Sequence, residues 1–323
     1  MGIPKLWVLL FSIVAFATIA VQASGAPLAA PEKVKLALNW KPEPQFGGFY
    51  AARFSDLDKK NGVEFEVVPG GAGTPVVQMI ASGQFDFGIA SGDEIVVSRI
   101  RGIDLVALFA TYQTNPQGVM THAERGFETL ADVFKSPGTI AMQKGLPYAL
   151  YLQNRYSSGK RASVVPYLGG VANFLGRKDH SQQCFITSEP LLAVKQGAKV
   201  KTFLVADSGF NPYTTVLVTR RALLTEKPEL VKNVVAAVRA GWRNYLDQPD
   251  PTNEKMSELN PSIDPATMKE MALAQKSLIE PGSAAKADLG KMKALRWTDL
   301  EDQLRQMKVI DRKSPPSPYF VEL

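Results

Sequence analysis

The sequence predicts an α/β fold in two lobes, and three features of its 323 residues carry that prediction. Short apolar strands alternate with amphipathic helices along most of the chain, the pattern of a largely parallel sheet covered by helices on both faces. The alternation halts at TNPQG and then begins again, which calls for a second unit of the same kind. Two turn-rich breaks, TYQTNPQG and ADSGFNPY, stand as paired hinge crossovers between the units. Residues 32–114 and 210–323 are thereby assigned to one discontinuous lobe, and 115–209 to an inserted lobe.

Residues 1–23 precede this pattern. Lys5, an apolar run over 6–21 and the small-residue end Val21-Gln22-Ala23 read as a secretory signal peptide. The run is shorter than the ~20 residues of a spanning helix, and the Pro- and Ala-rich SGAPLAAPE follows it where a charged stop would stand. A soluble periplasmic protein is expected, with a retained membrane anchor as the competing reading. No cysteine follows the run, so lipid attachment is not expected.

The first strand is VKLALN at 34–39, and 48–60 reads as a helix stopped by Asn61-Gly62. A strand at 63–69 leads into GGAGTPVVQMIASGQ, with Thr74 as N-cap, Pro75 at the first helical position and Gly83 at the end. A strand at 85–90 runs into SGDEIVVSRIRG, where Ser91 precedes a helix, and 104–112 is a further apolar strand. The second unit gives a helix near 129–134, strand 139–142, helix 146–156, strand 164–167, helix 171–175, strand 184–186 and helix 190–196. VKTFLVADSGFNPYTTVLVTRR supplies strand, break and strand, and from Lys227 onward the chain is largely helical.

Composition narrows the function. Cys184 is the single cysteine, so no intrachain disulfide forms and the 45% hydrophobic content must build an ordinary core for about two domains. The net charge of +6 is mild, and the basic residues in KKN, GRKDH and DRKSPP are scattered, without the dense stripe or interleaved aromatics of a nucleic-acid surface. His122 and His180 are the only histidines; His180 and Cys184 lack a second ligand pair, so no metal site is expected. No Gly-x-Ser-x-Gly elbow is present. The chain is read as a monomer without catalytic residues or cofactor.

In doubly wound sheets ligands sit beyond the carboxyl ends of the strands. Asn39-Trp40, GGAGT, SGDE and Thr111-Tyr112 each follow or end one of four strands, so four irregular segments point at one cleft. Trp40, Phe46, Phe49 and Tyr50 offer flat apolar area; Phe49 is assigned to the core and Trp40 to the site. Gly71, Gly73 and Thr74 present backbone N–H groups at a helix start, although a tight turn explains the glycines equally well. Asp93, Glu94 and Glu189 bring carboxylates to strand ends, either to accept from a ligand amine or to stabilise helix dipoles. These acids count against sulfonate, taurine or nitrate as ligand. Ser91, Tyr112, Tyr148 and Tyr213 complete the candidates.

LNWKPEPQFGGFYAA, the glycine turn, ASGQFDFGIAS and ITSEP together resemble the NMT1/THI5-like, thiamine-precursor family of periplasmic binding proteins, over about 34–238. The resemblance implies the type II periplasmic binding fold, two α/β lobes that close on a ligand and deliver it to an ABC importer. It marks Asn39 and Trp40 as ligand contacts and Glu189 as the inward carboxylate, with an aminopyrimidine-like ligand and an ABC permease as partners. The family also holds an enzyme that forms the thiamine pyrimidine from its own histidine and bound pyridoxal phosphate. Where that enzyme carries the cofactor lysine and the sacrificed histidine, this chain has Ala90 and Glu94, and ADSGFNPY contains no cysteine cluster. Without the amine no Schiff base forms, so binding without chemistry is the expectation.

Overall fold

Alternation of exposed and buried side chains makes β1 (Glu32–Ala37), where Lys33 and Lys35 face water while Val34 and Leu36 are buried. The same lobe then builds β2 (Val63–Val68), β3 (Phe87–Ala90) and β4 (Leu105–Tyr112), the last two buried at every residue. The chain crosses to a second lobe for β5 (Gln117–His122), β6 (Thr139–Met142), β7 (Ser163–Pro166), β8 (His180–Phe185) and β9 (Val200–Leu204), and returns for β10 (Thr214–Arg220). This computed structural model describes residues 1–2, 30–156, 158–313 and 317–323. Apart from its first two residues, the expected signal peptide at 1–23 lies outside the described residues.

Two five-stranded sheets result, ordered β2-β1-β3-β10-β4 and β7-β6-β8-β5-β9. β1 pairs in parallel with β2 and β3, while β10 runs antiparallel between β3 and β4. The second sheet repeats the device: β6 is parallel to β7 and β8, and β5 runs antiparallel between β8 and β9. The sheets are therefore mixed, yet four of the five strands in each run the same way, in keeping with the largely parallel expectation; the exception in each is the strand that follows a crossover, which enters its sheet in reverse. Both lobes belong to one compact unit, Pro31–Leu323.

Sequence reading passed over β5 altogether. QGVMTH has one partly exposed residue followed by five buried ones, so it lacks the polar period of a half-exposed strand and sits between turn signals. The helix expected at 48–60 is preceded by a short 3-10 turn (Pro44–Phe46) and is itself broken into the helices Gly47–Phe54 and Leu57–Lys60, with Asp56 left-handed at φ 52 between them. Pro75 stands at the N-cap of the helix Val76–Ala81, so Thr74 lies one residue outside the cap assigned to it.

Phe49 belongs to the core, edge-on to Trp242 with ring centroids 5.9 Å apart. Trp242 lies on the helix Pro228–Asp247, which fits closely against Gly47–Phe54: a Cβ added at Gly241 would come 2.2 Å from the carbonyl oxygen of Gly48. Among the described residues no helix is long and apolar enough to cross a membrane.

Candidate ligand-binding cleft

β1, β3 and β4 share a direction, as do β6, β7 and β8, because the antiparallel strands only separate neighbours. Their carboxyl ends open onto one cavity of about 400 Å³. The first lobe lines it with Asn39 and Trp40 after β1, Gly73 and Thr74 in the loop after β2, and Ser91 after β3. The second lobe contributes Gln143 after β6, Tyr167 after β7, and Ser188 and Glu189 after β8. The crossovers complete the wall with Asn115 and Gln117 at the start of β5 and Thr214 and Thr215 at the start of β10. Thr215 holds φ at 50, an unfavourable state for a β-branched residue, so its backbone turns at the wall at some cost.

Phe46, Asp93 and Tyr148 also line the cavity. Asp93, near the start of the helix Gly92–Ile100, is buried; burial first and the charge of Glu94 second push its carboxyl up to about 6. Glu94 folds back to accept from Ser91 N and Oγ at 2.8 and 2.9 Å. Gln183 Oε1 accepts from Gln143 N at 2.5 Å and from the Tyr148 hydroxyl.

Four candidates are absent from the wall. The N–H of Gly71 donates to Thr74 Oγ1 at 2.8 Å, closing its own loop and leaving no free donor for a ligand. Tyr50 is buried in the core, stacked on Phe54 at 5.5 Å. Tyr112 is buried too, and its hydroxyl donates to Gln275 Oε1 at 2.5 Å. Tyr213 supports the crossover: its hydroxyl accepts from Lys293 N at 2.9 Å and the Arg296 guanidinium lies 3.9 Å over its ring. The residues before these three tyrosines are Phe49, Thr111 and Pro212, which share no period that shows which side each ring takes.

Glu43 is the residue that sequence reading overlooked, although it stands inside KPEPQ between two prolines and three positions after Trp40. Its Oε1 accepts from Trp40 Nε1 and its Oε2 from Ser188 Oγ of the other lobe, both at 3.1 Å. Burial first and the Glu189 charge second raise its carboxyl from 4.5 to about 7. Glu189 accepts from the Tyr167 hydroxyl at 3.0 Å and from Phe185 N at 2.8 Å; burial raises its carboxyl against those donors. Tyr167 and the glutamines of HSQQCF were also overlooked, yet two amides in a buried strand are a usable signal because a buried amide must find partners.

No lysine, arginine or histidine is among the described residues of this wall. The site combines one indole face, paired acids and several amides, a set suited to a flat polar ring with donor edges and poorly suited to an anion. The described residues contain no cluster of His, Cys, Asp and Glu able to hold a metal. Cys184 borders the cavity, and burial raises its thiol well above the usual range, so it is protonated and unreactive at neutral pH.

Comparison with known proteins agrees with this architecture. The family described as NMT1/THI5 like matches residues 43–252. The riboflavin-binding protein RibY of Chloroflexus aurantiacus is 24% identical over 301 residues, covering 88% of this chain and 84% of the relative. The formylaminopyrimidine-binding protein of Halalkalibacterium halodurans is 22% identical, covering 68% of each. Among solved structures, the periplasmic aliphatic sulphonate binding protein SsuA of Escherichia coli superposes with a TM-score of 0.68 at 14% identity, covering 91% of this chain and 95% of the other, a likeness of fold alone.

Proposed function

Because this chain belongs to the NMT1/THI5-like family, we propose that it is an extracytoplasmic solute-binding protein that captures a small heteroaromatic, foremost a thiamine-precursor aminopyrimidine, and passes it to an ABC importer. The observation that carries this reading is the cavity where the carboxyl ends of both sheets meet, walled by Trp40 and by acids and amides without a cationic side chain among the described residues. Trp40 stacks on the ring, while Asn39 and Glu189 read its edge. The lobes close over it by flexing the crossovers around 113–116 and 205–213. The pyrimidine-binding relative supports the ligand class, and the acidic wall weighs against the sulfonate, taurine and nitrate alternatives. Ala90 and Glu94 leave the pyrimidine-synthase reading without its amine and imidazole.

A flavin is a second reading, favoured by the cavity's 400 Å³, which exceeds what a single six-membered ring fills, and by the RibY relative. Calorimetry with 4-amino-5-hydroxymethyl-2-methylpyrimidine, its formylamino analogue, riboflavin, taurine and nitrate tests both. Heat with the pyrimidines is expected. Heat with taurine or nitrate alone overturns the proposal, and heat with riboflavin alone transfers it to the flavin.

A further inference from the structure

Glu43 and Glu189 come from different lobes, one from the loop after β1 and the other from the first turn of the helix Glu189–Lys195, and both border the cavity. Ser188, directly before Glu189, donates to Glu43 across the cleft at 3.1 Å, and the two acids lie within electrostatic reach, the Glu189 charge raising the Glu43 carboxyl. Each of their four oxygens has one protein donor, Trp40 Nε1 and Ser188 Oγ for Glu43, Tyr167 OH and Phe185 N for Glu189. A carboxylate oxygen accepts two, so each retains capacity for a ligand N–H.

The surroundings offer this pair little compensating charge. Lys41 is exposed and exerts the weakest influence on Glu43. The Tyr112 and Tyr167 phenols and the Cys184 thiol are all driven upward, so they are neutral at working pH. Of the other titratable groups of the wall, the Tyr148 phenol is likewise driven upward by burial and neutral, and Asp93 and Glu94 are acids. Two buried like charges side by side disfavour full ionisation, and one proton between them is the low-energy state.

We propose that Glu43 and Glu189 form a proton-sharing pair across the cleft, and that the cleft therefore selects a ring with an amidine-type edge, a basic ring nitrogen beside an amino group, held as a cation in place of the shared proton. This rests on the heteroaromatic reading above and narrows it. When a neutral aminopyrimidine enters, the carboxyl O–H breaks, the ring N–H forms, and the net charge of the cleft is unchanged. Where the empty cleft has already lost its proton, binding draws one from solvent. A flavin or uracil ring, lacking that basic edge, cannot take up the charge.

The test is calorimetry with 4-amino-5-hydroxymethyl-2-methylpyrimidine at about pH 6 and about pH 8, each in two buffers of different ionisation enthalpy. Glu43 loses its proton at about 7, so at the lower pH the expected exchange is zero for neutral probe and a release for the fraction arriving already protonated, while uptake approaches about one proton per ligand at the higher pH, with Kd rising up to about tenfold per pH unit above the midpoint. In Glu43→Gln the midpoint vanishes. A flat Kd without buffer dependence overturns proton sharing and leaves pyrimidine capture intact. If the probe gives no heat, the functional reading fails. Infrared titration of the empty protein then decides the pair independently: the carboxylic C=O band should fade near pH 7, be lost in Glu43→Gln and fade at lower pH in Glu189→Gln. An unchanged midpoint in Glu189→Gln overturns the pair.

Discussion

Asn115 and Asn211 tie the two crossovers together: the backbone N–H of Asn115 donates to Asn211 Oδ1 at 2.9 Å, and Asn115 Nδ2 donates to the Pro212 carbonyl at 3.1 Å. Arg296 holds the same point, giving Nη2 to Asn211 Oδ1 at 2.9 Å, Nε to the Asn211 carbonyl at 2.7 Å and Nη1 to the Gln113 carbonyl at 2.6 Å. One side chain thus fastens both strands of the connection between the lobes.

Asn211→Ala should loosen that connection. It strips an acceptor from one backbone N–H and from a guanidinium whose solvation is restricted by burial, so a loss of about 2 kcal/mol is expected. Urea denaturation measures it, and small-angle scattering should report a wider spread of lobe separations than in the parent.

Trp40→Ala should weaken pyrimidine binding by roughly tenfold to a hundredfold, the combined value of a stacked face and its buried area. Trp40→Phe keeps the face yet removes the Nε1 donor to Glu43, so it should retain most of the affinity while raising the Glu43 midpoint. Titration calorimetry separates the two effects.

Stability should fall as the cleft is made alkaline. Glu43 has a folded value of about 7 against 4.5 unfolded. The folded state binds the proton more tightly, so its contribution is fully present below the unfolded value and disappears as pH rises through about 7. That contribution is on the order of 3 kcal/mol. Chemical denaturation from about pH 5 to about pH 8 should show this decline in the parent and a shallower one in Glu43→Gln. On the acid side, burial and the Arg177 charge lower the folded value of His180 below 6.5, so its contribution is lost as pH falls below the unfolded value.

Gly241→Ala should cost about 2 to 3 kcal/mol, because the new methyl would meet the Gly48 carbonyl at 2.2 Å and Ala52 Cβ at 2.7 Å, and the two helices would have to separate. A lowered denaturation midpoint checks it. Unaltered cavity chemistry should leave the ligand preference intact.

Much of the fold is legible because burial leaves a period in the chain. Val34 and Leu36 against Lys33 and Lys35 announce β1, and Gly62, at φ 77, stops the preceding helix with a conformation that side chains resist. Asn39, Trp40, Ser91 and Glu189 follow strand ends, so their place at the cavity could be reasoned from topology. Tyr50, Tyr112 and Tyr213 could not: each sits near the right loop, but packing against Phe54, Phe185 and Trp297 turns the ring elsewhere.

The sequence by itself determined the α/β alternation, the two turn-rich breaks that separate the lobes, and the lack of a lysine at position 90 or a histidine at position 94 on which pyrimidine synthesis would depend. Tertiary structure alone decided that β5 and β10 enter their sheets reversed and that Glu43 meets Ser188 across 145 residues of chain. The reason is physical: hydrophobic period records whether a side chain is buried, a local property. A carboxyl group's charge depends on which other groups the closed lobes bring within a few ångströms, and no neighbouring residue encodes that.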